Sequence, residues 1–253
     1  MTDFLAKQNN HTRDERIQFD DPTHTYTIDG DSSYISVTTW NHKHFKPFDA
    51  DKIIANMKRS RNWSNSKYYG MTDKEIKDSW EKNRDEAATS GTKMHYDIEC
   101  YYNNMNVEND STEYQYFIDF KNDHPNLKPY RTEWTVFDED LKMAGSIDMV
   151  YENNDGTLSI YDWKRSKQIK KTNPFGSSIN KLIDHIPDSN YWHYSLQLNT
   201  YKAILERKYG KTVTDLYLVC LHPNNKKYQK IKVADLSKEI NLLFDERFRK
   251  VSQ

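Results

Sequence analysis

Branched and aromatic residues alternate with polar ones over residues 144–150 and again over 158–164, the period-two pattern of half-buried strands. Asn153, Asn154, Asp155, Gly156 and Thr157 lie between them, and Asp-Gly marks a hairpin turn because glycine accepts positive φ. Residues 130–137 read as a third strand, which passes through Asp138, Glu139 and Asp140 into the hairpin. The three make a meander.

The rest of the chain follows from similar signals. Residues 17–20 and 24–28 alternate as short strands, and Asp29, Gly30 and Asp31 turn toward a further strand at 34–37, giving a small N-terminal hairpin. Asp49 caps a helix through residues 52–57. Thr72 with Glu75 forms a capping box, opening a helix that carries Ile76 and Trp80 and runs through Ala87 and Ala88. Residues 91–99 lie within or open a helix in which His95 and Glu99 share a face, and Gly91 admits a close backbone approach. Residues 103–112 are an Asn-rich loop, and residues 114–120 carry aromatics at helical spacing. Residues 173–178 form a loop, and irregular chain continues to Asn190; its length beside a candidate site reads either as functional or as a solvated insertion. A long helix spans 191–208 with Gly210 as its cap, strands follow at 213–222 and 228–233, and a charged amphipathic helix closes the chain over 235–248.

Composition narrows the class. The chain has 253 residues, with 37 basic against 38 acidic side chains, so no global positive field advertises a nucleic-acid binder. Mean hydropathy is −1.03, low for a globular chain, yet 18 Tyr, 10 Phe and 6 Trp supply area for a core. Cys100 and Cys220 lie in no C-x-x-C motif, which removes zinc-ribbon and thiol-redox readings and leaves too few thiolates for a four-cysteine iron–sulfur cluster. No apolar run resembles a signal peptide or a membrane span. The expectation is a soluble intracellular protein of cytoplasm, nucleus or viral factory, not secreted. Residues 1–15 are expected to be frayed and 16–253 to form a single domain.

Candidate chemistry centres on the hairpin. Folding at the turn sets Asp148 opposite Asp162, and opposed Cβ atoms lie about 4.5–5.5 Å apart. Lys164, two residues on, shares the face of Asp162. Two close carboxylates repel unless a cation or proton lies between them, and hard divalent cations prefer such oxygen ligands. A neighbouring ammonium stabilises negative charge on an attacked phosphate or orients water. Other patches are less specific. Lys58, Arg59 and Arg61 beside Trp63 read either as a solvated helix end or as a phosphate track with a stacking ring. Arg165 opens a second basic run through Lys171. Gln197 and Tyr201 share a helix face, with His193 one turn earlier.

Taken in order, residues 91–95, 145–148, 162–164 and 197–201 resemble the motifs of the RecB-type branch of the PD-(D/E)xK nuclease superfamily, including phage and large-DNA-virus enzymes. Residues 36–39 and 221–223 also resemble those members. The resemblance implies an α/β (α+β) fold: a restriction-endonuclease-like core with a central mixed sheet flanked by helices, plus an N-terminal hairpin and helical elaboration. It implies metal ligation by His95, Asp148, Asp162 and the carbonyl of Trp163, with Asp148, Asp162 and Lys164 catalytic. Glu133 resembles a Glu on the preceding strand of relatives. Gln197 and Tyr201 would contact the DNA strand or order Lys164, and Arg165 would join them.

The implied activity is Mg²⁺- or Mn²⁺-dependent hydrolysis of DNA, as an exonuclease in replication, repair or recombination, without an iron–sulfur cluster. No phosphate loop is present, so unwinding would need a helicase or recombination partner. Other readings are a structure-specific endonuclease, an inactive nucleic-acid-binding module on the same fold, and an interaction protein with an aromatic surface.

Overall fold

A computed structural model describes residues 3–174 and 176–252; Phe175, in the expected 173–178 loop, lies outside them. The meander forms as its alternation predicts: β4 (Lys128–Asp138), β5 (Met143–Glu152) and β6 (Leu158–Lys164) are antiparallel neighbours. Gly156, at φ +80°, makes the β5–β6 turn. β7 (Val213–Cys220) pairs parallel to β6, and β8 (Gln229–Lys232) antiparallel to β7. The sixth strand is β3 (Ile35–Ser36), which pairs parallel with Met143 and Ala144.

One consequence of this register positions the site. A strand has two edges, and β4 occupies one along the whole of β5. β3 and β6 must therefore share the other: β3 takes Met143 and Ala144, and β6 takes Met149 to Glu152. Residues 145–148 pair with neither, so the sheet is split there.

Helices cover both faces. α6 (Asn190–Lys208), α7 (Ser237–Val251) and α2 (Val37–His42) pack on Ile147, Val150, Ile160 and Leu218. The C-terminal half of α4 (Asp73–Tyr102) and α5 (Thr112–Asp123) pack on Met149, Tyr151, Tyr161 and Trp163. The Thr72–Glu75 capping box forms, and α4 then runs unbroken for 30 residues through Gly91 rather than stopping at Ala88. A methyl group added at Gly91 would meet nothing within 4 Å, so no backbone approaches it closely. α3 (Ala50–Arg59) starts where expected, with Asp49 accepting the Lys52 N–H.

Two expectations are corrected. Residues 34–37 do not extend the N-terminal hairpin: β1 (Ile17–Asp20) pairs with β2 (Thr25–Ile28), and Ser36 caps α2 by accepting the Thr39 N–H. Residues 3–15, expected to be frayed, are anchored to the body. α1 (Phe4–Gln8) buries Leu5, whose N–H donates to Asn103, and Asp14 accepts from Arg131 at 2.7 Å and Trp134 at 2.9 Å. Of the two readings of the stretch before Asn190, a solvated insertion does not describe residues 178–186, since Ile183 and Ile186 enter the core and Ser178 donates to the carbonyl of His44.

His44, behind α2, supplies a pH prediction remote from the site. Its imidazole is buried against Trp40, and burial holds it at about 4, against 6.5 for the free side chain. The unfolded chain therefore takes up this proton first as pH falls. Stability from neutral His44 is complete above pH 6.5 and is lost as pH drops toward 4, by about 3 kcal/mol at 1.36 kcal/mol per unit. Denaturant melts of the wild type and His44→Gln at pH 7 and pH 4 should show the smaller fall in the variant. An equal fall in both would refute the assignment.

Candidate active site

The split in the sheet is filled by a side chain. Where β5 and β6 part, Asp148 Oδ2 accepts the Trp163 N–H at 3.0 Å, supplying the acceptor that a paired strand would have offered. Alternation slips at this point. Met143 and Ile147 face the α6 side, but Asp148 and Met149 both turn toward α4. β4 does the same opposite: Thr132 accepts from Asn103 at the end of α4, and the next residue, Glu133, also reaches an α4 side chain. Glu133 sits at φ +42°, a left-handed conformation that costs a non-glycine residue about 1–3 kcal/mol. The paired slips turn two carboxylates toward one imidazole.

That imidazole is His95. Its Nδ1 lies 3.5 Å from Asp148 Oδ2 and 3.6 Å from Glu133 Oε1, while Nε2 meets the Trp163 carbonyl at 2.9 Å. Ser146 Oγ donates to the other oxygen of Glu133 at 2.9 Å. Among the described residues, His95, Glu133 and Asp148 are the group whose ligating atoms all lie within 4.8 Å of one another. Asp162 is not brought into that group. Alternation along β6 gives it the face of Lys164, whose ammonium lies 2.7 Å from its carboxylate and 4.7 Å over the ring of Tyr194 on α6.

The electrostatics follow from burial and crowding. Burial opposes charge on His95, but Asp148 and Glu133 outweigh it and lift the imidazole to about 9. Burial raises the Asp148 carboxyl, against the pull of His95 and Lys164. Burial likewise pushes Asp162 up to about 7, with Lys164 working against it and Asp148 adding to it. Lys164 stays cationic because Asp162 and Asp148 overcome its own desolvation. The site thus concentrates negative charge that only a proton or a cation relieves.

The donors fit a hard divalent cation. Carboxylate and carbonyl oxygens suit Mg²⁺ and Mn²⁺, and an imidazole is tolerated by Mn²⁺.

Two grooves open beside the split. One, of about 450 Å³, is lined by His95, Glu133, Ser146, Gly91 and Thr92; the other, of about 330 Å³, by Lys164, Tyr194, Gln197, Asn41 and His42. A larger cleft of about 990 Å³ between α1 and α5 contains none of these groups, so size does not locate the chemistry here. Gln197 lines the Lys164 groove. Tyr201 does not: it is 3% exposed, packs against β5 and interacts with Gln197, so it can orient Gln197 but cannot reach a nucleic acid. Arg165, also expected at the strand, pairs with Glu113 at 2.6 Å.

Gly145 makes the Tyr201 contact possible. A Cβ there would stand 2.8 Å from two atoms of the phenol. Gly145→Ala is therefore expected to cost about 1–3 kcal/mol by overpacking. That is a melting temperature lower by about 2–4 °C per kcal/mol in a chain of this size. An unchanged melting temperature would show that the ring can yield.

No curated protein matches this sequence. The solved structure of SSO0001 superposes over 99% of this chain and 85% of its own, at 14% identity and a TM-score of 0.36. A candidate exonuclease from Eubacterium rectale superposes over 62% of this chain and 71% of its own, at 12% identity and a TM-score of 0.30. Among the described residues no helix is long and apolar enough to cross a membrane. The sequence profile of the PD-(D/E)XK nuclease superfamily matches residues 67–252. That span runs from ahead of α4 to the end of α7 and takes in every group at the split sheet, so the chain belongs to the PD-(D/E)XK nuclease superfamily and has its restriction-endonuclease-like mixed α/β fold.

Proposed function

We propose that this protein is a metal-dependent deoxyribonuclease that hydrolyses phosphodiester bonds at the split between β5 and β6. The observation that carries the reading is the meeting of His95, Glu133, Asp148 and the Trp163 carbonyl beside the Asp162–Lys164 pair, in a chain of this superfamily. His95, Asp148 and the Trp163 carbonyl would hold the ion, with Glu133 beside them and Asp162 across the split. Bound there, a divalent ion supplies charge neutralisation at the attacked phosphate and a more acidic water.

The chain's own groups do the rest. Asp148 fixes the position of Trp163 through the backbone N–H, and so fixes its carbonyl. Lys164, held in place by Asp162 and Tyr194, places a positive charge where the phosphate gains negative charge in the transition state. Gln197 offers an amide to the strand lying in the Lys164 groove.

The resemblance of the four motif pieces favours digestion from strand ends, as an exonuclease serving replication, repair or recombination. The test is cleavage of end-labelled linear and circular single-stranded DNA with Mg²⁺, with Mn²⁺ and with chelator. Ladders from the linear strand only, in metal only, are expected. Cutting of the circle would make the enzyme an endonuclease, and no metal-dependent cutting of either would overturn the reading.

A further inference from the structure

Residues 46–90 form an arm that leaves the body on one side of the site and returns on the other. On the outgoing side, His42 lines the Lys164 groove and Phe45 packs on His193 of α6, 3.9 Å between ring centroids. On the return, α4 delivers His95 to the Trp163 carbonyl. Between these anchors α3 and the first turns of α4 build a separate small core. Ile54 and Ile76 are fully buried yet belong to none of the three core clusters. Phe48 and Tyr68 pack edge-on to Trp80, and the Tyr68 hydroxyl accepts the indole N–H at 2.8 Å. Ion pairs Lys77–Asp51 and Lys58–Asp73 tie the two helices.

Beyond this head, α4 stands free. Residues 81–89 are exposed on every side, and the next core residue on the helix is Met94. At 1.5 Å per residue, the start of α4 lies about 33 Å from His95 along the helix. A helix left bare on all sides contributes nothing to the core; it bridges the head to His95, while on the outgoing side the short step from Phe45 to Phe48 ties the base of the head to α6.

The head's outer turn has an unusual composition for a chain with near-zero net charge. Residues 56–71 contain Lys58, Arg59, Arg61 and Lys67 and no carboxylate. Lys58 is committed to Asp73, but Arg59, Arg61 and Lys67 make no ion pair among the described residues. Trp63 and Tyr69 stand among them with rings 6.1 Å apart, and Tyr69 is 61% exposed. Cations interleaved with exposed rings fit a single strand, whose phosphates take the charges and whose unpaired bases stack.

We propose that the head of this arm is a second nucleic-acid contact, holding single-stranded DNA through Arg59, Arg61, Lys67 and Tyr69. It rests on the nuclease reading and adds a length requirement to it. Phosphates spaced about 3.4 Å apart along a stacked strand put the head about ten nucleotides from the scissile bond.

The test uses Arg59→Ala/Arg61→Ala/Lys67→Ala and, separately, Tyr69→Ala; none of these side chains is buried. Binding of a 25-nucleotide single strand is followed by fluorescence anisotropy in chelator across a range of salt. Each lost phosphate contact removes about 0.7 from the slope of log K against log salt, so the triple variant should be shallower by about 2. Tyr69→Ala should bind the single strand about tenfold more weakly and a duplex of the same length unchanged. In metal, the triple variant should cut a tetranucleotide at the wild-type rate and the 25-mer with a raised KM and the same kcat. Equal salt slopes, or equal loss on short and long substrates, overturn the proposal; equal loss on single strand and duplex overturns the stacking role. If the wild type cuts nothing, the nuclease reading fails, while the anisotropy slopes still decide the arm.

Discussion

Asp148→Asn should abolish cleavage, by about a thousandfold or more, while leaving the protein folded. The substitution separates the two jobs of this side chain. An amide oxygen can still accept the Trp163 N–H, so the split between β5 and β6 keeps its shape. What is lost is the negative charge 3.5 Å from His95. A thousandfold corresponds to about 4 kcal/mol in the barrier, the range seen when one preorganised electrostatic group is removed. Stability should move the other way. Burial raises the Asp148 carboxyl even against the pull of His95 and Lys164, so its ionised form is a net cost to the fold when no metal ion is bound. In chelator the variant should melt at or above the wild-type temperature, an exchange of activity for stability expected of a site built from crowded charges. A variant that retains cleavage within a few fold would remove Asp148 from the chemistry. A variant that loses cleavage only because it unfolds would show the aspartate to be structural.

The contrast between what the chain announces and what it hides follows the range of the interactions. The β5–β6 hairpin, the Thr72–Glu75 box and the Asp49 cap are set by residues within a few positions of one another, and alternation or capping geometry reveals them. The four motif pieces are also local, and His95, Asp148, Trp163 and Lys164 gather about the split in the sheet. Glu133, noted in the sequence only through the resemblance, shows why a carboxylate at the split is hard to read locally. A lone Glu in a strand carries no periodic signal, and its approach to His95 depends on the slip at 132–133 answering the slip at 148–149 on the neighbouring strand. The placing of Asp162 has the same root. Simple alternation sets both aspartates on one face, but the slip at Asp148 turns that carboxylate toward α4 and leaves Asp162 with Lys164.

Longer-range pairings were beyond any local pattern. Tyr201 reads as a residue of the substrate face until Gly145, on another element, is seen to admit its ring against β5. The N-terminal segment looks frayed because its anchors, Asn103 and Arg131, lie about a hundred residues away. The length of α4 was masked by its middle: residues 81–89 have no apolar stripe because they pack against nothing. A helix bare of core contacts is what an arm requires.

Lys164→Met should also lose cleavage, by at least a hundredfold, but through a different term, and it should leave a different mark on stability. The ammonium is not a ligand. Removing it makes the field around Asp148 and Asp162 more negative, so Mn²⁺ measured by calorimetry should bind the variant at least as tightly as the wild type, whereas Asp148→Asn should bind it more weakly. Without metal, the variant leaves Asp162 buried without its cation. The carboxyl, already pushed up to about 7, then rises further. A folded-state value above the unfolded 3.8 means that the protonated form carries the stability: it is fully present below pH 4 and is lost as pH rises through the folded value. The deficit relative to wild type should therefore be small at pH 5 and grow toward pH 8. At pH 8, one unit above the wild-type value, it reaches about 1.4 kcal/mol, a drop of about 3–5 °C in melting temperature. Added Mn²⁺ should restore much of that loss at pH 8 while cleavage stays absent. A deficit that is constant with pH would mean that Asp162 does not depend on Lys164, and a variant that binds no Mn²⁺ would place the lysine in the architecture of the site instead of its chemistry.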